Sequence, residues 1–144
     1  MVELAALGEL TITVRERVRV EGLPHGSRVV GEAAECRWIG DRVRAVQQGS
    51  AGSDWLTVGA TGVCAIDARM ALRTEDDAVI FMRYGGRARM VDGVPVGLII
   101  APTFETADDR YLWLNVVQAV GIGWRVGADL VYDLYEVTGA AAGP

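Results

Sequence analysis

Residues Gly62 to Gly86 read GVCAIDARMALRTEDDAVIFMRYGG, two apolar runs joined by a charged turn. In an extended chain successive side chains alternate faces, so Cys64, Ile66, Ala68, Met70 and Leu72 share one side while Asp67 and Arg69 share the other. One side is oily and the other can hold polar chemistry. The TEDD segment reverses the chain, and AVIFMR follows as a second strand of β-forming residues. The stretch is an antiparallel hairpin, and it sets an all-β reading.

The same period of two recurs in ELTITVRERVRV, SRVVGEAAECRW, DRVRAVQ, DWLTV, VGLIIAPTF, NVVQAVGIGW and ADLVYDLYEV. Short alternating strands between glycine-rich turns predict a sandwich or a barrel. A single antiparallel barrel of about eight strands is preferred, because closure removes the edges that so many valine-rich strands would expose. A cylinder of that size holds side chains or one small ligand. One short helix is expected near residues 107–114. Thr106 followed by Asp109 resembles a capping box, with Asp108 and Asp109 favourable in the first turn. Tyr111, Leu112 and Trp113 would then plug or edge a barrel end. The PHGS segment at Pro24–Ser27 reads as a surface turn, and GSAGSD near Ser50 as a flexible loop. Residues 1–137 make the barrel domain and 138–144 a frayed tail.

A chain of 144 residues fits one domain able to bury a core unaided. Its longest apolar run, Val96–Pro102, is far shorter than the ~20 residues of a membrane span, and the N-terminus lacks the basic start and long apolar stretch of a secretory signal. A soluble cytoplasmic protein is expected, without a membrane partner. Cys36 and Cys64 are too few and too far apart for a disulfide framework or a zinc knuckle, and read as buried, reduced thiols. A net charge of -5 argues against a nucleic-acid partner. All 14 basic residues are arginines, so Schiff-base and pyridoxal chemistry lack their amine. His25 is the single histidine and sits in a turn, which leaves a catalytic triad or histidine metal site without partners. No dinucleotide or phosphate-loop fingerprint follows a strand. No cofactor and no metal are expected.

Several strings in order resemble one family: PHG at Pro24, GSDW at Gly52, DAR at Asp67 followed by TED at Thr74, IFMR at Ile80, PTFET at Pro102, YLWLN at Tyr111 and YDLYEV at Tyr132. The chain is similar over most of its length to the domain of unknown function 3237 family. The resemblance implies a lipocalin-like antiparallel barrel with no settled activity, and a polar signature at Asp54, Trp55, Asp67, Arg69, Thr74, Arg83, Glu105, Trp113, Asn115, Tyr132 and Tyr135. Departures from the family pattern put apolar Ile99, Ile100, Ala101, Val116 and Val117 where relatives tend to be polar, and Asp77 where a turn glycine is usual. If those apolar positions line the cavity, the pocket is oilier than the family's.

Glu105 follows the most apolar strand and shares a face with Ile99, Ala101 and Thr103; a carboxylate buried there suits protonation of a carbonyl. Tyr135 and Asn115 can hydrogen-bond such a carbonyl, and Asp67 with Arg69 can fix a polar end. The catalytic candidates are Glu105, Tyr135, Asn115 and Asp67; the ligand-binding candidates are Arg69, Trp55, Arg83, Ile99, Ala101, Trp113 and Tyr132. Each has a plain structural alternative: a solvated outer face for Asp67 and Arg69, a rim position for Glu105, a buried turn for Asn115, core or rim for the aromatics.

These readings favour a cofactor-independent cyclase or isomerase acting on a hydrophobic carbonyl-bearing molecule, such as a polyketide-type intermediate, inside the barrel. A carrier or sensor of a lipophilic ligand is the alternative, and a filled interaction module a third; a homodimer is left open. The enzyme reading needs a hollow. A solid middle, with Glu105 and Asp67 both facing solvent, sinks the enzyme reading.

Overall fold

The computed structural model describes residues 1–139, which form β1 (Val2–Leu23), β2 (Gly26–Ile39), β3 (Arg44–Val58), β4 (Val63–Thr74), β5 (Val79–Val91), β6 (Val94–Glu105), β7 (Ala119–Val126) and β8 (Asp129–Gly139). Neighbours in sequence are neighbours in space, all antiparallel, and β8 pairs with β1 to close the barrel. No helix among the described residues is long and apolar enough to cross a membrane.

The expected loop at GSAGSD lies within β3. Pairing with β4 jumps from Gln47 opposite Leu72 to Gly52 opposite Met70, so the extra residues form a bulge and not a flexible connection. Gln47 holds it, its Nε2 donating to the carbonyls of Ala33 at 2.6 Å and Gly49 at 2.9 Å. Instead of a helix over 107–114 there is one 3₁₀ turn, Leu112–Val116. The side chains of Thr106 and Asp108 accept backbone N–H bonds from Asp108 and Arg110, at 3.3 and 3.0 Å, and these tight turns use up the residues expected to start the helix. Thr138 and Gly139, expected in the tail, pair instead with Glu3 and Val2; the remainder of that expectation, residues 140–144, lies outside the described residues. Asp77 takes a φ of 72°, the left-handed region that the family's glycine would occupy without strain.

Hydrophobic burial decides which face turns inward. Cys64, Ile66, Ala68, Met70 and Leu72 are all buried, and Asp67 and Arg69 are exposed on the outside. The waist is filled by large side chains: Trp38, Tyr84, Tyr132, Leu10, Met82 and Ile100 are fully buried, and Trp38 stacks on Phe104 with ring centroids 5.0 Å apart. These side chains fill the expected hollow at the waist, where an eight-stranded cylinder has little width to spare. A Cβ on Gly123 would come within 2.4 Å of the Tyr132 ring, so this glycine makes the ring's seat. Cys36 and Cys64 are buried free thiols, and burial pushes Cys36 up to about 12.

The two ends differ. One is closed by the 3₁₀ turn and its flanks, where Tyr111, Leu114 and Val117 are buried while Leu112 is exposed. Asn115 ties this plug down: its Nδ2 donates to the Thr106 carbonyl at 2.9 Å and its Oδ1 accepts the Thr106 N–H at 2.8 Å. Asn115→Ala is expected to cost about 1–2 kcal/mol in a urea melt by losing both bonds. The opposite end carries the turns at 24–25, 59–62, 92–93 and 127–128 and is open.

Candidate functional site

At the open end the barrel interior forms a pocket of about 230 Å³. Val14 of β1, Val29 of β2, Leu56 of β3, Met90 of β5, Pro95 of β6 and Leu130 of β8 make apolar walls, and Asp54 of β3 is the one carboxylate set among them below the rim. Glu16 and Arg19, joined by hydrogen bonds of 2.8 and 3.0 Å, and Arg125 stand at the rim. Asp54 reaches the interior because Asp54, Leu56 and Val58 alternate on the inward face of β3, leaving Trp55 outside.

Asp54 meets low dielectric without a compensating donor. Its Oδ1 is sealed from solvent and has no hydrogen-bond partner among the described residues. Burial, helped by the charge of Asp67, raises its carboxyl from the ordinary 3.8 to about 6. Below it, Tyr84 lies in the same cross-strand row, separated by the small Ala68, and the Tyr132 ring tilts against Tyr84 with centroids 6.1 Å apart. Burial holds both phenols protonated well above their usual range, and the charge of Asp54 pushes each further the same way. The Tyr132 Oη is a second buried polar atom without a partner. An acid ionising near neutrality above two protonated phenols can pass a proton to and from a carbonyl compound, or bind one by hydrogen bonds.

Of the catalytic and ligand-binding candidates chosen from the sequence, Tyr132 alone is fully buried in the interior. Asp67, Arg69, Arg83, Glu105, Trp55, Ile99 and Ala101 are exposed on the outer surface, a correction to their expected place in the lumen: the apolar residues alternating with them claim the inside. Asp67 and Arg69 form no ion pair with each other among the described residues. Tyr135 is half-buried beside the inward Leu134 and points the other way. Asn115 serves the plug, and Trp113 sits half-buried beneath the Arg42 guanidinium, 4.0 Å from its ring centroid. The apolar departures do not line a cavity together, since Ile99, Ala101 and Val116 are exposed and Ile100 and Val117 are packed in the core. Arg69, Arg83 and Glu105 do come together, in a groove outside the barrel. Asp54 stood in the family resemblance but not among the chosen site residues; its alternation with Leu56 and Val58 was the signal that it faces in.

The class defined so far is a closed, eight-stranded antiparallel barrel, filled at the waist, plugged at one end and carrying an acid in its open mouth. The chain belongs to the family described as protein of unknown function (DUF3237), whose model matches residues 2–137. Among solved structures, it is similar to a beta-barrel like protein from Acinetobacter baumannii AYE, at 24% identity and a TM-score of 0.85, covering 96% of this chain and 97% of that one. A protein of unknown function from Clostridium acetobutylicum ATCC 824 matches at 21% identity and a TM-score of 0.85, over 96% and 100% of the two chains. An enzyme from Penicillium herquei matches at 18% identity and a TM-score of 0.69, over 96% and 94%. No curated protein sequence matches the chain.

Proposed function

We propose that the protein is a cofactor-independent enzyme, an isomerase or cyclase that binds a small apolar carbonyl compound in the barrel mouth and moves a proton with Asp54. One observation carries the reading: a carboxyl raised to about 6 stands, with an unpartnered oxygen, on the wall of an apolar pocket open to solvent. Purely structural burial of such a group is costly, and a carrier of lipophilic molecules needs the apolar walls but not the acid. The barrel of similar topology that is an enzyme in Penicillium herquei indicates that the fold accommodates catalysis.

With the waist filled and both expected carboxylates outside, the enzyme reading set in the barrel's middle falls, and the proposal rests on the mouth alone. Glu105 and Asp67 face solvent and give up their catalytic roles, which pass to Asp54, with Tyr132 and Tyr84 as the phenols beneath it. The pocket, at about 230 Å³, is smaller than the ~300–1,000 Å³ common for drug-sized ligands, so a compact substrate fits better than an extended polyketide chain. In the simplest cycle ionised Asp54 takes the proton α to the carbonyl and returns it at another carbon, with no change in oxidation state.

The test is exchange of α-hydrogens of small cyclic and linear enones with solvent deuterium, followed by NMR. Wild-type protein is expected to accelerate exchange with a rate that climbs as pH rises through about 6 and then levels. Exchange equally fast with Asp54→Asn, or flat across that pH range, would remove Asp54 from the chemistry.

A further inference from the structure

The groove on the outside of β3, β4, β5 and β6 measures about 580 Å³, within the ~300–1,000 Å³ of small-molecule pockets. Strand register sets Ser53 opposite Arg69, Arg69 opposite Arg83, and Arg83 opposite Thr103, a single row running across four strands. Neighbouring strands lie ~4.8 Å apart, so two guanidinium groups rise from adjacent positions with a hydroxyl on either side. Like charges directly opposite each other destabilise a sheet. No other two arginines are so opposed in the registers of the described residues. Neither has a carboxylate at ion-pair distance among the described residues.

Phe81, 53% exposed, stands in the next row opposite Glu105. On the other side of the arginines the row contains Gly85, where an added Cβ would meet nothing nearer than 3.7 Å. Packing does not demand that glycine; its effect is to leave the sheet bare beside Arg83. Arg69, Arg83 and Glu105 line the groove, and Asp67 stands opposite Gly85 in the adjoining row; two carboxylates thus flank the arginines, and the pull on an anion is local to the two opposed guanidinium groups.

We propose that this groove binds the carboxylate of a small organic monoanion with an aromatic body, held between Arg69 and Arg83 and with its ring against Phe81. The planar guanidinium fork matches a carboxylate in two parallel hydrogen bonds, and the bound anion relieves the opposition of the arginines. Glu105 at the end of the groove disfavours a dianion. The site is separate from the mouth, and Asp54 has no part in it.

The experiment is a titration of isotope-labelled protein with benzoate, acetate and inorganic phosphate at constant ionic strength, read from backbone amide shifts. Benzoate is expected to give saturable shifts at Ser53, Arg69, Arg83 and Thr103, and to bind more tightly than acetate or phosphate. Arg69→Gln and Arg83→Gln should each weaken it about tenfold or more. Both positions are exposed, so these variants keep the barrel, and their melting temperatures should match or exceed that of wild type as the repulsion goes. Shifts that do not saturate, shifts confined to mouth residues such as Leu56 and Met90, tighter binding of phosphate, or benzoate binding unchanged in both variants would each overturn the proposal.

Discussion

Asp54→Asn is expected to cut turnover by about 10²- to 10⁴-fold, the usual weight of a positioned acid or base, and at the same time to make the barrel more stable at neutral pH. The second effect follows from the sign of the shift. The carboxyl ionises at about 6 in the folded protein against an ordinary 3.8, so the folded state holds its proton more tightly than the unfolded chain. Stability therefore falls as pH rises from about 4 to about 6 and stays reduced above that window. Moving a carboxyl from 3.8 to about 6 corresponds to about 3 kcal/mol. Asparagine has the same shape and no charge to bury. Denaturant melts at pH 7 should show the variant more stable by up to about that amount, and melts below pH 4 should bring the two proteins together. Activity lost with stability gained is the pattern of a strained functional group; a variant less stable than wild type at pH 7 would mean that Asp54 supports the fold.

Trp38→Ala should be the most damaging single change to the fold, at about 3–5 kcal/mol by urea denaturation. Trp38 is fully buried and stacks on Phe104 across the barrel, and its indole N–H donates to the Leu7 carbonyl at 2.8 Å. That carbonyl is left over by the bulge where β1 meets β8, since Ala6 pairs Tyr135 and Gly8 pairs Leu134 with Leu7 unmatched between them. Truncation would open a cavity in the filled waist and orphan a backbone acceptor near the closing seam. Trp38→Phe, which keeps most of the packing and loses the hydrogen bond, should cost about 1–3 kcal/mol. Equal losses for the two variants would show that the hydrogen bond, and not the ring volume, holds the seam.

The barrel was legible in the sequence because its signal is local: the alternation of Cys64 to Leu72 and its repeats state a strand wherever they occur, and the count of strands with valine-rich edges points to closure. The bulge in β3 was not legible. Glycine and serine at 49–53 look like a loop, but Gly52 and Ser53 pair with Met70 and Arg69 while Gln47 bonds across to Ala33, contacts distant in sequence. Site residues were misplaced for a different reason. Polar residues of the family resemblance drew attention to Asp67, Arg69, Arg83 and Glu105, yet turning that face inward would expose Ile66, Met70 and Leu72, each worth about 1.5–3 kcal/mol when buried. Burial outweighs any gain from a polar lumen, so the same residues gather outside. Asp54 is the reverse case: one acid among inward Leu56 and Val58, carried inside by its neighbours. The filled waist depends on side-chain volumes meeting from opposite strands, Trp38 against Phe104 and Tyr84 against Tyr132, and no linear pattern reports such meetings.

A mouth acid that changes charge near neutrality is the claim on which the proposed chemistry stands. It is tested most directly by following the side-chain carboxyl carbon of Asp54 by NMR as pH is varied, assigned against Asp54→Asn. A midpoint at about 6 is the result predicted here; a midpoint near the ordinary 3.8 would show a solvated surface carboxylate and contradict it.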